Sequence, residues 1–247
     1  MKKSNYSYIG ISFIILVFGI YFIPKIIDRI SNNDTVRNDG GTKINIHNPK
    51  KEVSDLAFIE INGKPKKVPH FSFANQDGKI ITEKDYQGKV YIIEFFFTTC
   101  PTICPRMNAN LIKIQNEFTG FNNFGVASFT INPEHDTSEV LKAYAEKYGV
   151  TNPNWNLMTG NQETIYKLAN EGFNLYTAKD IEVEGGFEHS GNFALIDKNG
   201  FIRSRIVNGN PIIFYNGMIS ESEKADETGM PQEITMLKED IFKLLKE

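Results

Sequence analysis

Residues 90–97 read Val-Tyr-Ile-Ile-Glu-Phe-Phe-Phe, a nearly continuous apolar run that leads through Thr98 and Thr99 into Cys100-Pro-Thr-Ile-Cys104. Such a run is expected of a strand buried on both faces, the kind that sits inside a sheet covered by helices. Beyond the second cysteine the period changes. Met107, Leu111, Ile114 and Phe118 fall on one face of a helix. Phe124 to Ile131 is expected as the next strand. The helix after it carries Val140, Leu141, Tyr144 and Tyr148, and opens with Asp136-Thr-Ser-Glu139, a capping-box pattern that makes Asp136 its N-cap.

The alternation continues along the chain. Trp155 to Met158 reads as a short strand, and Ile165, Leu168 and Phe173 mark another helix. Phe193 to Asp197, the Lys198-Asn199-Gly200 turn and Phe201 to Val207 form a strand–turn–strand hairpin, and a last helix presents Ile234, Leu237, Ile241, Leu244 and Leu245. Upstream, Leu56 to Ile61 alternates and runs into Asn62-Gly63, a hairpin-turn signal, with a second short strand and turn at Phe71 to Gly78. Together these elements predict an α/β fold, a mixed central sheet flanked by helices.

The N-terminal residues have a different character. Lys2 and Lys3 precede an uncharged run from Ser4 to Pro24, about the length of a bilayer-crossing helix, with Tyr6, Tyr8 and Tyr21 near its ends. No small-x-small cleavage site follows, where the chain reads Tyr21-Phe-Ile-Pro-Lys25, and no cysteine follows for lipid attachment. Residues 1–27 are therefore expected to be an uncleaved anchor. Residues 28–55, polar and without apolar period, are expected to be a flexible tether to a domain at 56–247. The formal net charge of -3 argues against a nucleic-acid partner.

The chain has two cysteines, Cys100 and Cys104. A disulfide between residues so close would constrain the unfolded chain weakly, so the pair reads as chemistry and not as a staple. A helix N-terminus offers free amide donors and a positive dipole end, both of which favour thiolate over thiol. A thiolate is the nucleophile of disulfide exchange and a soft ligand suited to Cu(I). Placing Pro105 at the first helical position makes Cys104 the N-cap and leaves Cys100 to Ile103 as a turn.

At these residues a resemblance emerges. Phe-Phe-Phe-Thr-Thr-Cys-Pro-Thr-Ile-Cys-Pro-Arg-Met (95–107), led by Pro69 to Lys89 and followed by Glu188-His-Ser-Gly-Asn-Phe-Ala-Leu-Ile-Asp-Lys-Asn-Gly200, resembles the SCO/SenC proteins over roughly residues 65–210. The resemblance implies a thioredoxin-like fold with copper ligands at Cys100, Cys104 and His189. It also implies a bacterial cytoplasmic-membrane location with the soluble domain outside the cytoplasm, and a role in building the dinuclear copper centre of cytochrome c oxidase subunit II. Another copper chaperone or a thiol reductant would be a further partner. The Ile131-Asn-Pro-Glu-His-Asp-Thr137 stretch resembles a family loop that usually carries Asp before the proline; here that position is Asn132, while Asp136 is kept.

Plainer readings fit other candidates. His47 falls in the tether, His70 beside a proline and His135 in a polar loop, none of them expected to bind metal. Met107 belongs to an apolar helix stripe, and Asp180, Glu182, Glu184 and Glu188 read as a solvated acidic insertion. Three functions stay open: a metallochaperone using Cu(I) or Cu(II), a membrane-anchored thiol–disulfide reductase, and a redox or copper sensor. Three residues between the cysteines instead of two, the absence of a proline near Gly191, and His189 as a third ligand all favour the first.

Overall fold

The structure is a computed structural model that describes residues 56–179 and 185–247, together with Leu16 and Phe18. Apart from those two, the expected anchor and tether lie outside the described residues, as do Asp180, Glu182 and Glu184. Among the described residues no helix is long and apolar enough to cross a membrane.

The domain opens with β1 (Leu56–Phe58), then β2 (Glu60–Ile61) and β3 (Lys64–Pro65), which pair around Asn62 and Gly63. Both turn residues have positive φ (53° and 72°), as the tight hairpin requires. β4 (Ser72–Asn75) and β5 (Ile80–Thr82) form the next hairpin. The central elements follow: β6 (Val90–Phe96), α1 (Ile103–Glu117), β7 (Phe124–Thr130), α2 (Ser138–Tyr148) and β8 (Trp155–Thr159). β6, β7 and β8 are parallel neighbours joined by helical crossovers, so the sequence alternation is a true β-α-β-α-β unit. α3 (Gln162–Lys167) continues into a π turn at Leu168–Phe173.

A short hairpin of β9 (Thr177–Lys179) and β10 (Phe187–His189) stands apart from the main sheet. β11 (Asn192–Ile196) then returns antiparallel to β6, and β12 (Ile202–Val207) pairs with both β11 and β1. β13 (Asn210–Pro211), β14 (Tyr215–Asn216) and the C-terminal α4 (Ile234–Lys246) complete the chain. The main sheet runs β1-β12-β11-β6-β7-β8-β4-β5, the expected mixed sheet.

Every residue of β6 and β7 is buried because both faces are covered. On one face Phe95 and Phe129 stack at 5.4 Å and meet Phe71, Phe73 and Phe173. On the other, Phe96 packs on Tyr144 of α2, and α1 lies alongside with Met107, Leu111 and Ile114 fully buried. Met107 is thus a core residue, as its place in the stripe predicts.

The far edge of the sheet is locked by a buried ion pair. The Arg203 guanidinium, 1% exposed, meets Asp197 at 3.0 Å and Glu247 at 3.1 Å, donates to the Leu56 carbonyl, and lies over the Phe58 ring. Removing one partner of such a pair leaves the other charge buried and uncompensated, typically at a cost of about 3–5 kcal/mol. Arg203→Met should therefore lower the unfolding free energy by about 3 kcal/mol in urea titrations. A loss below about 1 kcal/mol would show that Asp197 finds another partner.

Candidate metal centre

Cys100 sits in the turn that follows β6, its N–H donating to the Phe97 carbonyl at 3.3 Å. Helix α1 begins at Ile103 with Thr102 as N-cap, two residues earlier than the proline argument places it, and so Cys104 is not the cap. The fold tolerates this because Pro105 still lies in the first turn, where amides have no intrahelical acceptor. Cys104 is fully buried, and its N–H donates to Cys100 Sγ at 3.4 Å. A free amide of the helix mouth is therefore spent on the Cys100 sulfur.

The third member comes from far along the chain. His189 closes β10, and its Nε2 lies 3.1 Å from Cys104 Sγ across 85 residues of sequence. The imidazole stands edge-on to Phe97 with centroids 5.8 Å apart. One ligand atom from each of Cys100, Cys104 and His189 falls within 4.8 Å of the others, and all three residues are buried. Gly185, just ahead of β10, stands close against the motif. At Gly185, whose φ of +92° suits glycine, a Cβ would come within 3.0 Å of Pro101 and 3.1 Å of the Phe97 ring. Behind His189, Gly191 leaves room for the Met218 side chain, which a Cβ would meet at 2.4 Å.

The two sulfurs are electrostatically unequal. Cys100 is held well below the usual thiol range, first by the hydrogen bond from the Cys104 thiol and then by His189 and the Cys104 amide. Burial, reinforced by the Cys100 sulfur, pushes the Cys104 thiol far up. In the metal-free pair the Cys100 sulfur is thus biased towards thiolate and the Cys104 sulfur towards thiol. Two sulfurs and an imidazole nitrogen converging on one buried point fit a soft or borderline ion, with thiolates suiting Cu(I) and imidazole helping Cu(II).

The other histidines stay outside this cluster. His70 pairs with Glu83 at 2.9 Å on the surface, His135 bonds Asp136, and His47 lies outside the described residues. Asp136 is not the N-cap of α2. Thr137 takes that position and accepts from the Val140 N–H at 3.4 Å, while Asp136 turns inward and is fully buried. Sequence reasoning also passed over Glu94, although a single charge inside an apolar strand was the signal for it.

The SCO1/SenC family model matches residues 60–220. The chain belongs to the SCO1/SenC family. The SCO1 protein homolog of Bacillus subtilis (strain 168) is 32% identical over 160 residues, spanning 64% of this chain and 82% of that protein. The crystal structure of a SCO1/SenC family lipoprotein from Bacillus anthracis str. Ames superposes with a TM-score of 0.59 at 31% identity, covering 72% of this chain and 95% of that one. BsSco, a member of the Sco family of cytochrome c oxidase assembly proteins in which a disulfide switch has been identified, gives 0.58 at 26% identity, covering 73% and 94%. These SCO1/SenC relatives carry the same thioredoxin-like architecture, and the sheet and helices seen here match it.

Glu94 makes a pH prediction for this SCO1/SenC domain. Its carboxyl is fully buried on β6, one oxygen accepts from Ser128 Oγ at 2.6 Å, and the other is buried with no partner among the described residues. Burial pushes its pKa up from 4.5 to about 7, against a smaller opposing effect of the Ser128 bond. Between those values the folded protein keeps a proton that the unfolded chain has released, so stability falls as pH rises from 4.5 to about 7. The loss should total about 3 kcal/mol. Glu94→Gln should flatten that slope in urea unfolding followed across this window, and an unchanged slope would assign the pH dependence to other groups.

Proposed function

We propose that this protein is a copper metallochaperone that delivers copper to cytochrome c oxidase subunit II during assembly of its dinuclear copper centre. Copper is the metal held, through Cys100, Cys104 and His189. The observation that carries this reading is the convergence of two sulfurs and one imidazole nitrogen within 4.8 Å in a buried cluster. Three protein ligands leave a position for a donor from the acceptor protein, so transfer proceeds by ligand exchange. Oxidation of the cysteines to a disulfide removes the site, which ties copper loading to the redox state around it.

The proposal includes the cellular setting. The uncharged Ser4 to Pro24 run supports a single-pass anchor in the bacterial cytoplasmic membrane, with the metal-binding domain on the extracytoplasmic side. Full-length protein should then stay in the membrane fraction through carbonate washing. Release of a species that begins near residue 25 would instead identify the run as a cleaved signal.

A second reading, thiol–disulfide exchange on a partner's cysteines, is favoured by one observation: the unequal depth of the pair, with Cys100 8% exposed in front of a fully buried Cys104. The two readings part at His189. Chelator-competition titrations on reduced protein should show His189→Ala weakening Cu(II) binding by more than about 100-fold, beyond the usual cost of losing a ligand's outer partner. Cu(I) binding should fall less, because the thiolates dominate it. Cys100→Ser and Cys104→Ser should each abolish stable binding of both ions. Wild-type Cu(II) affinity in His189→Ala would sink the metallochaperone site and bring the exchange reading forward.

A further inference from the structure

The three ligands are not fixed equally well by secondary structure. Cys104 is the second residue of a fifteen-residue helix, and His189 is paired through β10 to Thr177 and packed on Phe97. Cys100 lies between strand and helix, with its N–H on the Phe97 carbonyl at 3.3 Å, and its sulfur accepts the Cys104 N–H at 3.4 Å and lies 3.9 Å from Thr102 Oγ1. Those contacts come from within the turn and the helix mouth, so the side of the turn that leaves β6 needs an anchor of its own.

Asp136 is placed to provide it. One carboxylate oxygen accepts the Thr98 backbone N–H at 3.0 Å and the Thr130 hydroxyl at 2.5 Å. The other accepts the Thr98 hydroxyl and the His135 ring nitrogen, the latter at 2.8 Å. All four acceptor positions of the carboxylate are in use. Two of them grip Thr98, by backbone and side chain at once, two residues before Cys100. β6 and β7 are parallel, with Phe96 opposite Thr130, so Asp136 bridges the points where both strands leave the sheet. Helix capping does not account for it, since Thr137 caps α2. Burying a carboxylate costs several kcal/mol before its bonds are formed, and charge-assisted bonds of this kind are both strong and directional.

We infer that Asp136 is a positioning residue for the metal centre: by holding Thr98 it fixes the turn that presents the Cys100 sulfur to Cys104 and His189. This inference rests on the copper reading for its metal measurements, and on the cysteine geometry alone for its metal-free ones.

The variants Asp136→Asn, Thr98→Val and Thr98→Ser separate positioning from stability. The asparagine keeps the size but has one acceptor oxygen, the valine removes the Thr98 hydroxyl, and the serine retains it. Asp136→Asn is expected to lower Cu(II) affinity at least tenfold and to shift the thiolate-to-Cu(II) charge-transfer band. In metal-free protein it should change the rate of Cys100 alkylation by iodoacetamide at least threefold. Thr98→Val should move all three readouts in the same direction, with no further change when combined with Asp136→Asn, and Thr98→Ser should restore wild-type values. Tyr215→Phe, which loses a 2.9 Å bond to buried Asp240, controls for general destabilisation and should lower the melting temperature alone.

A folded Asp136→Asn protein with wild-type band, affinity and alkylation rate would overturn the inference. If Asp136→Asn does not fold, the Thr98 pair decides the matter: identical behaviour of Thr98→Val and Thr98→Ser overturns it. Wild-type protein that binds no copper would refute the copper reading, while the alkylation rates would still test the positioning of Cys100.

Discussion

The pairing of β6 with unlike neighbours on its two sides creates the metal centre. β7 runs parallel to it, so the segment leaving β7 emerges at the same end of the sheet as the cysteine turn. β11 runs antiparallel, so the residues entering β11 are delivered to that end as well, with Ala194 opposite Ile93 and Ile196 opposite Tyr91. His189 lies three residues before β11, and Asp136 six residues beyond β7. Cysteines, histidine and supporting carboxylate are thus brought together by strand direction. Ligand sites commonly lie at the carboxyl ends of parallel strands, and the antiparallel return of β11 adds a third contributor to that edge.

Burial then converts this proximity into chemistry. A sulfur on the surface would keep an ordinary affinity for its proton, whereas Cys104 is enclosed and Cys100 receives hydrogen bonds from the helix mouth and from Cys104 itself. The inequality of the two sulfurs comes from depth and from donors, not from any difference in residue type. Phe97 contributes as well, ending the buried run and turning its ring towards both His189 and Phe187.

Much of this was legible in the sequence because it was written in local patterns. The Val90 to Phe97 run, the α1 stripe and the 193–207 hairpin appear within a residue or two of their expected positions. The β9–β10 hairpin was not legible: each strand has three residues, too few to show a period of two. His189 was reached through family resemblance alone, since nothing near it in sequence points to sulfurs 85 residues away. Asp136 was misread for a related reason. Asp136-Thr137 offers two adjacent cap formers, and the choice between them is made by Thr98, 38 residues upstream. Glu94 was visible as a lone charge in a strand, but its meaning depends on Ser128 in the neighbouring one.

The difference in depth between the sulfurs also fixes the regiochemistry of any encounter with another protein. Cys100 retains 8% of its surface and Cys104 none, and Pro101 and Gly185 stand close together at the exposed side of the motif. A bulky thiol or disulfide arriving from outside can reach only the first sulfur. Were reduced Cys100 to attack a partner's disulfide, the mixed disulfide would form at Cys100, and Cys104, lying behind it, would be the sulfur placed to displace the partner thiol by closing the Cys100–Cys104 disulfide.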